Sequence, residues 1–73
     1  MQQKTRKVMR LRMLRRQREM TQADVAAKAG LTKAAICDIE RGYRNPSLKT
    51  ASAIAAVFNE PVESLFDYVE IAS

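Results

Sequence analysis

The side chains in this sequence that could do chemistry are mainly cationic hydrogen-bond donors, and they are concentrated at the amino-terminal end. The 73 residues include 13 lysines and arginines against 8 acids, a formal charge of +5. Residues 1–20 carry eight of these bases and one acid, Glu19, whereas residues 60–73 carry four acids and no base. Such asymmetry indicates a polyanionic partner for the basic end, although for any single arginine a solvated helix face is the better explanation.

The chain has few residues of the types and spacings that catalysis or metal binding requires. Histidine is absent, and we find no paired-carboxylate pocket, glycine-rich phosphate loop or cluster of metal ligands in the sequence. Cys37 is the only cysteine, so no intrachain disulfide can form, which fits a reducing cytoplasm. No apolar run is long enough to span a membrane. We therefore expect a cytoplasmic protein that is not an enzyme and holds no cofactor or metal.

Residues 21–42 form the stretch that must position the polar side chains. Their pattern predicts two short helices joined by a tight turn. Thr21 is a suitable N-cap for the first of these helices, and Asp24, three residues later, is placed to complete a capping box with it. Gly30 stands where helices commonly end in a left-handed residue. The residues that share the inward face of this helix are Val25, Ala26 and Ala29.

The second helix of this pair follows directly. Leu31 fills the turn, Thr32 can cap the helix, and Gly42 ends it. Two helices meeting at about 90–120° must approach closely, and the small side chains of Ala26 and Ala35 permit this. The inward residues of the second helix are Ile36 and Ile39. This order of small, glycine and apolar residues favours a helix-turn-helix over a plain helical hairpin.

Three further helices are predicted around this pair. The first spans residues 5 or 6 to about 18, with Val8, Leu11 and Leu14 on one face. A fourth follows the cap Ser47 and stops at Asn59, and a fifth begins at Pro61. Their apolar faces comprise Leu48, Ala51, Ile54, Ala55 and Phe58 in the fourth helix and Val62, Leu65 and Phe66 in the fifth. Residues 68–71 alternate apolar and polar, so the tail is either a short strand or a frayed helix. The whole chain, residues 1–73, is expected to form one all-α domain.

One acid and one base fall on apolar helix faces. Arg15 lies four residues after Leu11 in the first helix, and Glu40 lies four residues after Ile36 in the third. Because a charge on an inward face usually has a partner, we predict that Arg15 and Glu40 form an ion pair. The alternative is that each side chain reaches solvent separately.

Taken together, these positions resemble the lambda repressor and Cro-like helix-turn-helix family, the XRE-type class of phage and bacterial regulators. The similarity runs from about Leu11 to Phe66. It rests on Leu11, Leu14, Arg15, Gln22, Val25, Ala26, Gly30, Ile36, Ile39, Glu40, Arg41, Gly42, Asn45, Pro46, Ser47, Leu48, Ile54, Ala55, Phe58 and Leu65. The resemblance implies a compact five-helix fold whose third helix enters the major groove of DNA.

The resemblance also implies roles for individual residues. The outward residues of the third helix would face base edges, namely Lys33, Ala34, Cys37 and Asp38. Residues near the two helix starts and in the following loop would contact DNA phosphates, namely Gln22, Thr32, Arg41, Tyr43 and Arg44. In well-studied members the positions matching Arg15 and Glu40 are bridged, which agrees with the pattern argument above.

Two positions depart from the family pattern. Glu19 stands where a glycine is common, which predicts a tighter corner or a longer first helix. Asp38 stands where a polar uncharged residue is usual, and a carboxylate near phosphates is repelled unless it accepts from a cytosine amino group. Alternatively, Asp38 holds Lys33 or Arg41 in place.

We expect a sequence-specific regulator of transcription, a repressor that binds double-stranded DNA as a homodimer. The alternative is an antitoxin-like interaction module whose main partner is another protein, and a membrane-surface basic helix is a distant third. The dimer contact is predicted in the carboxyl-terminal third, where apolar residues exceed what a small core can absorb. These residues are Val62, Leu65, Phe66, Tyr68, Val69 and Ile71.

Overall fold

A computed structural model describes the backbone of residues 5–72 and the side chains of residues 8–69. Four α-helices are flanked by two strands, each formed near one end of the chain. The elements in order are β1 (Thr5–Met9), α1 (Arg10–Gln17), α2 (Gln22–Ala29), α3 (Lys33–Glu40), α4 (Leu48–Phe58), a 3-10 turn (Val62–Ser64) and β2 (Tyr68–Ala72). Within the described residues the fold is thus mostly helical with a two-stranded sheet, and the all-α five-helix prediction is wrong in that respect.

The two strands join the ends of the chain. β1 pairs antiparallel with β2, with Val8 opposite Val69 and Met9 opposite Tyr68. The tail is therefore a strand, one of the two predicted alternatives. Residues 5–9, by contrast, form a strand and not the start of the predicted first helix. Val8 and Met9 are both buried, and their strand conformation depends on a partner about sixty residues away that local periodicity cannot reveal.

The carboxyl-terminal segment also determines where α1 begins. Met9, the residue before the helix, provides no side-chain cap. Instead the backbone amides of Arg10 and Leu11 donate to the carbonyls of Asp67 and Leu65, each over 2.9 Å. These bonds satisfy two of the amides that a helix start leaves without partners. The start of α1 is thus set by tertiary contact and lies at Arg10, after the predicted residue 5 or 6.

The predicted fifth helix is a single 3-10 turn, Val62–Ser64, preceded by Pro61. Leu65 leaves this turn and is completely buried in the core. An α-helix continuing past Leu65 would carry the chain away from the carbonyl positions that cap α1. The short turn therefore reflects the need to bring the tail back to the start of the first helix.

The caps of the helix-turn-helix have the predicted geometry. Thr21 and Asp24 form a reciprocal capping box, with each backbone amide donating to the other side chain over 2.9–3.0 Å. The hydrogen bond that the Thr21 amide donates is the main reason why the pKa of the Asp24 carboxyl lies below its usual value, because it favours the ionised form. Gly30 adopts φ +73° and has open space around its missing side chain. Its conformation, and not crowding, accounts for the glycine.

The core lies where α2, α3 and α4 meet, with α1 and Leu65 closing it. Ala26 and Ala35 are both buried, as the predicted close approach of α2 and α3 requires. The side chains with no exposed surface are Leu11, Val25, Ile36, Ile39, Ile54, Phe58 and Leu65. Leu48, predicted on the apolar face of α4, is instead 77% exposed because it is the first residue of that helix. Asn59 ends α4, as predicted, and adopts a left-handed conformation.

The corner between α1 and α2 accommodates Glu19, which stands where the family commonly has a glycine, in a way that the sequence did not predict. α1 ends at Gln17, and Glu19 adopts φ +54°, the left-handed conformation that a glycine would adopt there. The first helix is therefore not extended beyond Gln17. A left-handed conformation is strained for a residue with a Cβ atom.

We expect Glu19→Gly to stabilise the fold by about 0.5–1 kcal/mol, because glycine adopts positive φ without that strain. For a domain of this size the gain corresponds to a rise of roughly 2–8 °C in the thermal midpoint. Gln17→Gly is the matched control, since Gln17 has helical geometry and glycine there should lower the midpoint. A lower midpoint for Glu19→Gly would show that the Glu19 side chain stabilises the corner in some other way.

Candidate nucleic-acid interface

The outward face of α3 carries the residues predicted to meet DNA bases. Lys33 and Ala34 are exposed in the first turn, and Cys37 and Asp38 are partly exposed one turn later. These four residues, the reading face, lie opposite Ile36 and Ile39, which are completely buried. The hydrophobic anchoring of α3 therefore fixes which side chains are presented to a partner.

Asp38 is paired with a cation that the sequence did not suggest. Its carboxylate lies 3.7 Å from the guanidinium of Arg44, and both side chains are partly exposed. The prediction named Lys33 or Arg41 as its partner, and no ion pair with either is found among the described residues. The Asp38 carbonyl also accepts from the amides of Tyr43 (2.8 Å) and Arg44 (3.3 Å). The loop after α3 is thus folded back onto this residue.

Two residues of that loop form an exposed cationic and aromatic surface. The guanidinium of Arg41 lies 5.7 Å from the ring centre of Tyr43, a distance typical of a cation–π contact. Tyr43 is 76% exposed, and Arg41 is exposed as well. A phenol and a guanidinium held together in this way offer several hydrogen-bond donors to a phosphate.

At the start of α3, Thr32 acts as a cap. Its side-chain oxygen accepts from the amide of Ala35 over 3.1 Å. The hydroxyl proton does not take part in that bond, so Thr32 can still donate to an anion at the positive end of the helix.

Behind the reading face, a buried polar network joins α1, α2 and α3. Arg15 donates to both carboxylate oxygens of Glu40, over 2.7 and 3.0 Å, and to the carbonyl of Met20 over 2.9 Å. The Arg15 and Glu40 side chains are only 11% and 3% exposed. The predicted ion pair is therefore present as a bidentate contact between α1 and α3.

Gln22 belongs to the same network, which sequence reasoning missed. Its side-chain amide donates to Glu40 over 3.1 Å. Gln22 remains partly exposed, and it lies at the start of α2, where the helix dipole favours an anion. The contact to Glu40 fixes its position, and its second amide proton is left for a ligand.

Of the residues predicted to form a dimer contact, Leu65 is not available. It has no exposed surface, because it fills the core beneath α4. Val62 and Phe66 are partly buried against the same core, whereas Tyr68 is 47% exposed. The side chain of Ile71 lies outside the described residues. Leu65 must therefore be removed from the predicted contact.

Tyr68 makes a contact that no local signal indicates. A Cβ atom at Gly42 would lie 2.9 Å from its hydroxyl oxygen, and Gly42 has φ +79°. The first residue of β2 thus packs over the end of α3. Only the pairing of β2 with β1 brings it there.

Among residues 5–72, no helix is long and apolar enough to cross a membrane. Among the side chains of residues 8–69, no group of histidine, cysteine and acidic residues is arranged to bind a metal ion.

The sequence is similar to those of known helix-turn-helix proteins. The sequence profile of a family described as helix-turn-helix matches residues 11–65. The chain is 44% identical over 57 residues to an "uncharacterized HTH-type transcriptional regulator" of Archaeoglobus fulgidus, covering 78% of this chain and 81% of that protein. It is 38% identical over 56 residues to the immunity repressor protein of Bacillus phage phi105, covering 77% of this chain but 39% of that longer protein.

A solved structure shares the fold. The restriction-modification controller protein C.AhdI from Aeromonas hydrophila superposes with a TM-score of 0.74 at 33% identity, covering 78% of this chain and 86% of that one.

Proposed function

Because the chain belongs to the XRE-type helix-turn-helix family of DNA-binding transcriptional regulators, we propose that it represses transcription by binding a palindromic operator as a homodimer. The observation that carries this proposal is the exposed reading face of α3, bordered by Thr32 at the start of the helix and by Gln22 and the Arg41–Arg44 loop at its end. Base contacts would come from the face and phosphate contacts from its borders.

Each proposed contact follows from the chemistry of the side chain. Lys33 can donate to guanine O6 and N7, and Ala34 and Cys37 can pack against a thymine methyl group. Gln22, Thr32 and Tyr43 can donate to phosphates, and Arg41 and Arg44 add charge to the same contacts. The immunity repressor among the relatives supports repression as the outcome. DNA as the target implies action in the cytoplasm.

The homodimer is proposed for a geometric reason. One short helix contacts few bases, whereas two helices related by a two-fold axis read both halves of a palindrome. The surface we propose for self-association is what remains of the predicted set after Leu65 is removed. It comprises Val62, Phe66, Tyr68 and Val69, with Ile71 as a further candidate.

Selection of bound sites from random double-stranded DNA tests this proposal. We expect an enriched inverted repeat, two chains bound per site, and affinity that falls roughly a thousandfold between 50 and 200 mM salt as counterions are released. Enrichment of a single half-site with one chain bound would contradict the homodimer. If no sequence is enriched, the antitoxin-like interaction module becomes the better explanation.

A further inference from the structure

Beside the reading face lies an open cleft of about 640 Å³ between α1, the end of α3 and the first residue of β2. We call it the arginine cleft. Its α1 wall is formed by Arg12 and Arg16, which are one helical turn apart. Arg41, Tyr43 and Tyr68 also line the cleft.

The cleft has an excess of positive charge that the fold itself does not neutralise. Four arginines and one glutamate line it, a formal charge of +3. Arg15 and Glu40 compensate each other at its floor. Among the ion pairs of the described residues, none includes Arg12, Arg16 or Arg41. Three like charges around one opening repel each other, so an anion placed between them would be stabilised.

The position of the cleft identifies the anion. Cys37, Arg41 and Tyr43 line the cleft and also belong to the proposed DNA-binding surface. A duplex lying along α3 would therefore place its sugar–phosphate backbone beside the opening. Arg12 and Arg16 lie outside residues 21–42, so they would extend the contact beyond the helix-turn-helix.

We propose that the arginine cleft binds the phosphate backbone of DNA next to the reading face, with Arg12 and Arg16 as the donors from α1. Guanidinium groups suit this role because they form paired, charge-assisted hydrogen bonds with phosphate oxygens. The hydroxyl of Tyr68, held over Gly42, is a further donor at the same opening. The amino-terminal charge cluster would then have a defined place in DNA binding. This inference rests on the proposed function.

The test compares Arg12→Gln and Arg16→Gln with Lys28→Gln on the site enriched from random DNA. Lys28 is exposed in the last turn of α2 and does not line the cleft, so its replacement controls for the loss of one positive charge. We expect each arginine variant to weaken binding about tenfold and to lower the slope of log affinity against log salt by about 1. The control should change both much less. Thermal melts would establish that all three variants are folded, and Arg16→Lys should retain much of the affinity.

Locating the contacted phosphate makes the test specific. Individual phosphates of the site are replaced by uncharged methylphosphonates, and binding is measured for the wild type and for each variant. We expect one or two replacements that weaken the wild type but leave Arg12→Gln or Arg16→Gln unaffected.

An arginine variant that loses no more affinity than Lys28→Gln would overturn the proposal, as would an unchanged methylphosphonate profile. In either case, specific binding by the wild type would leave the proposed function intact. Failure of the wild type to bind any selected DNA would overturn both. Competition by millimolar inorganic phosphate without any change in the methylphosphonate profile would assign the cleft to a free anion and overturn the DNA contact.

Discussion

Replacing Arg15 with methionine is expected to destabilise the fold by about 3 kcal/mol, because it leaves the Glu40 carboxylate buried with only Gln22 as a partner. The Glu40 side chain is 3% exposed, so water cannot take the place of the lost guanidinium. A loss of this size is a large part of the roughly 5–15 kcal/mol that stabilises a typical domain. Chemical denaturation monitored by circular dichroism would measure it. Arg16→Met is the matched control, since Arg16 is exposed on the same turn of α1.

Glu40→Gln should cost less than Arg15→Met. The amide oxygen of glutamine can still accept from Arg15, and Arg15 keeps its bond to the carbonyl of Met20. The double variant Arg15→Met/Glu40→Leu removes both charges and should recover much of the loss. Equal stability of the wild type and both single variants would show that the pair contributes nothing to folding.

The Arg15–Glu40 ion pair also shows which contacts between helices can be predicted from the sequence. Arg15 and Glu40 each interrupt an apolar helix face, and two such interruptions of opposite charge indicate a contact between helices. The capping box of Thr21 and Asp24 and the left-handed Gly30 were predictable for a simpler reason. Their geometry is set by residues within one helical turn, so the local sequence contains the whole signal.

The strands were harder to predict because their stability is not local. Val8 falls at helical spacing with Leu11 and Leu14, and a helix over residues 5–18 satisfies that pattern. The deciding interactions come from the tail: β2 pairs with β1, and the carbonyls of Leu65 and Asp67 meet the first amides of α1. One short alternating segment did indicate a possible strand, but nothing identified its partner.

At the candidate interface the orientation of α3 was predictable, whereas its surroundings were not. The buried positions of Ile36 and Ile39 decide which residues face outward. The contact of Gln22 with Glu40 joins residues 18 apart, and that of Tyr68 with Gly42 joins residues 26 apart. Such contacts depend on how the helices and the tail pack. For the same reason, sequence reasoning found basic residues in the first helix but not the arginine cleft that three of them line.

Arg18 is a further example of a role that only packing reveals. Its guanidinium donates to the backbone carbonyl of Phe58 over 2.7 Å and lies 5.3 Å from the centre of the Phe58 ring. Glu60 is 3.9 Å away. A positive charge at the carboxyl end of α4 is favourable for the helix dipole. This basic residue therefore joins α1 to α4 and contributes to the fold, whereas Arg12 and Arg16 take part in none of the ion pairs of the described residues.

Lys33→Ala is expected to weaken binding to the enriched site by about 1–3 kcal/mol and to relax the preference at one base pair. Lys33 is exposed in the first turn of α3, the part of a recognition helix that contacts base edges. Titrations on the enriched site and on single-base variants of it would measure both effects. Lys28→Ala removes the same charge from the last turn of α2, outside the reading face, and serves as the control. Equal behaviour of Lys33→Ala and the control would mean that α3 does not read the DNA.

Asp38 and Arg44 can be separated by the same titrations. We expect Arg44→Ala to weaken all sequences alike and to lower the salt slope, because Arg44 is proposed to contact a phosphate. Asp38→Asn has two distinguishable outcomes. A changed base preference would mean that the carboxylate reads a cytosine amino group, whereas uniformly tighter binding would mean that it hinders the phosphate contacts, either by restraining Arg44 across their 3.7 Å contact or by repelling the phosphates directly. If it restrains Arg44, Asp38→Asn should have little effect in an Arg44→Ala background, since the restrained guanidinium is then absent. A large and uniform gain in that background would point instead to direct repulsion between Asp38 and the phosphates.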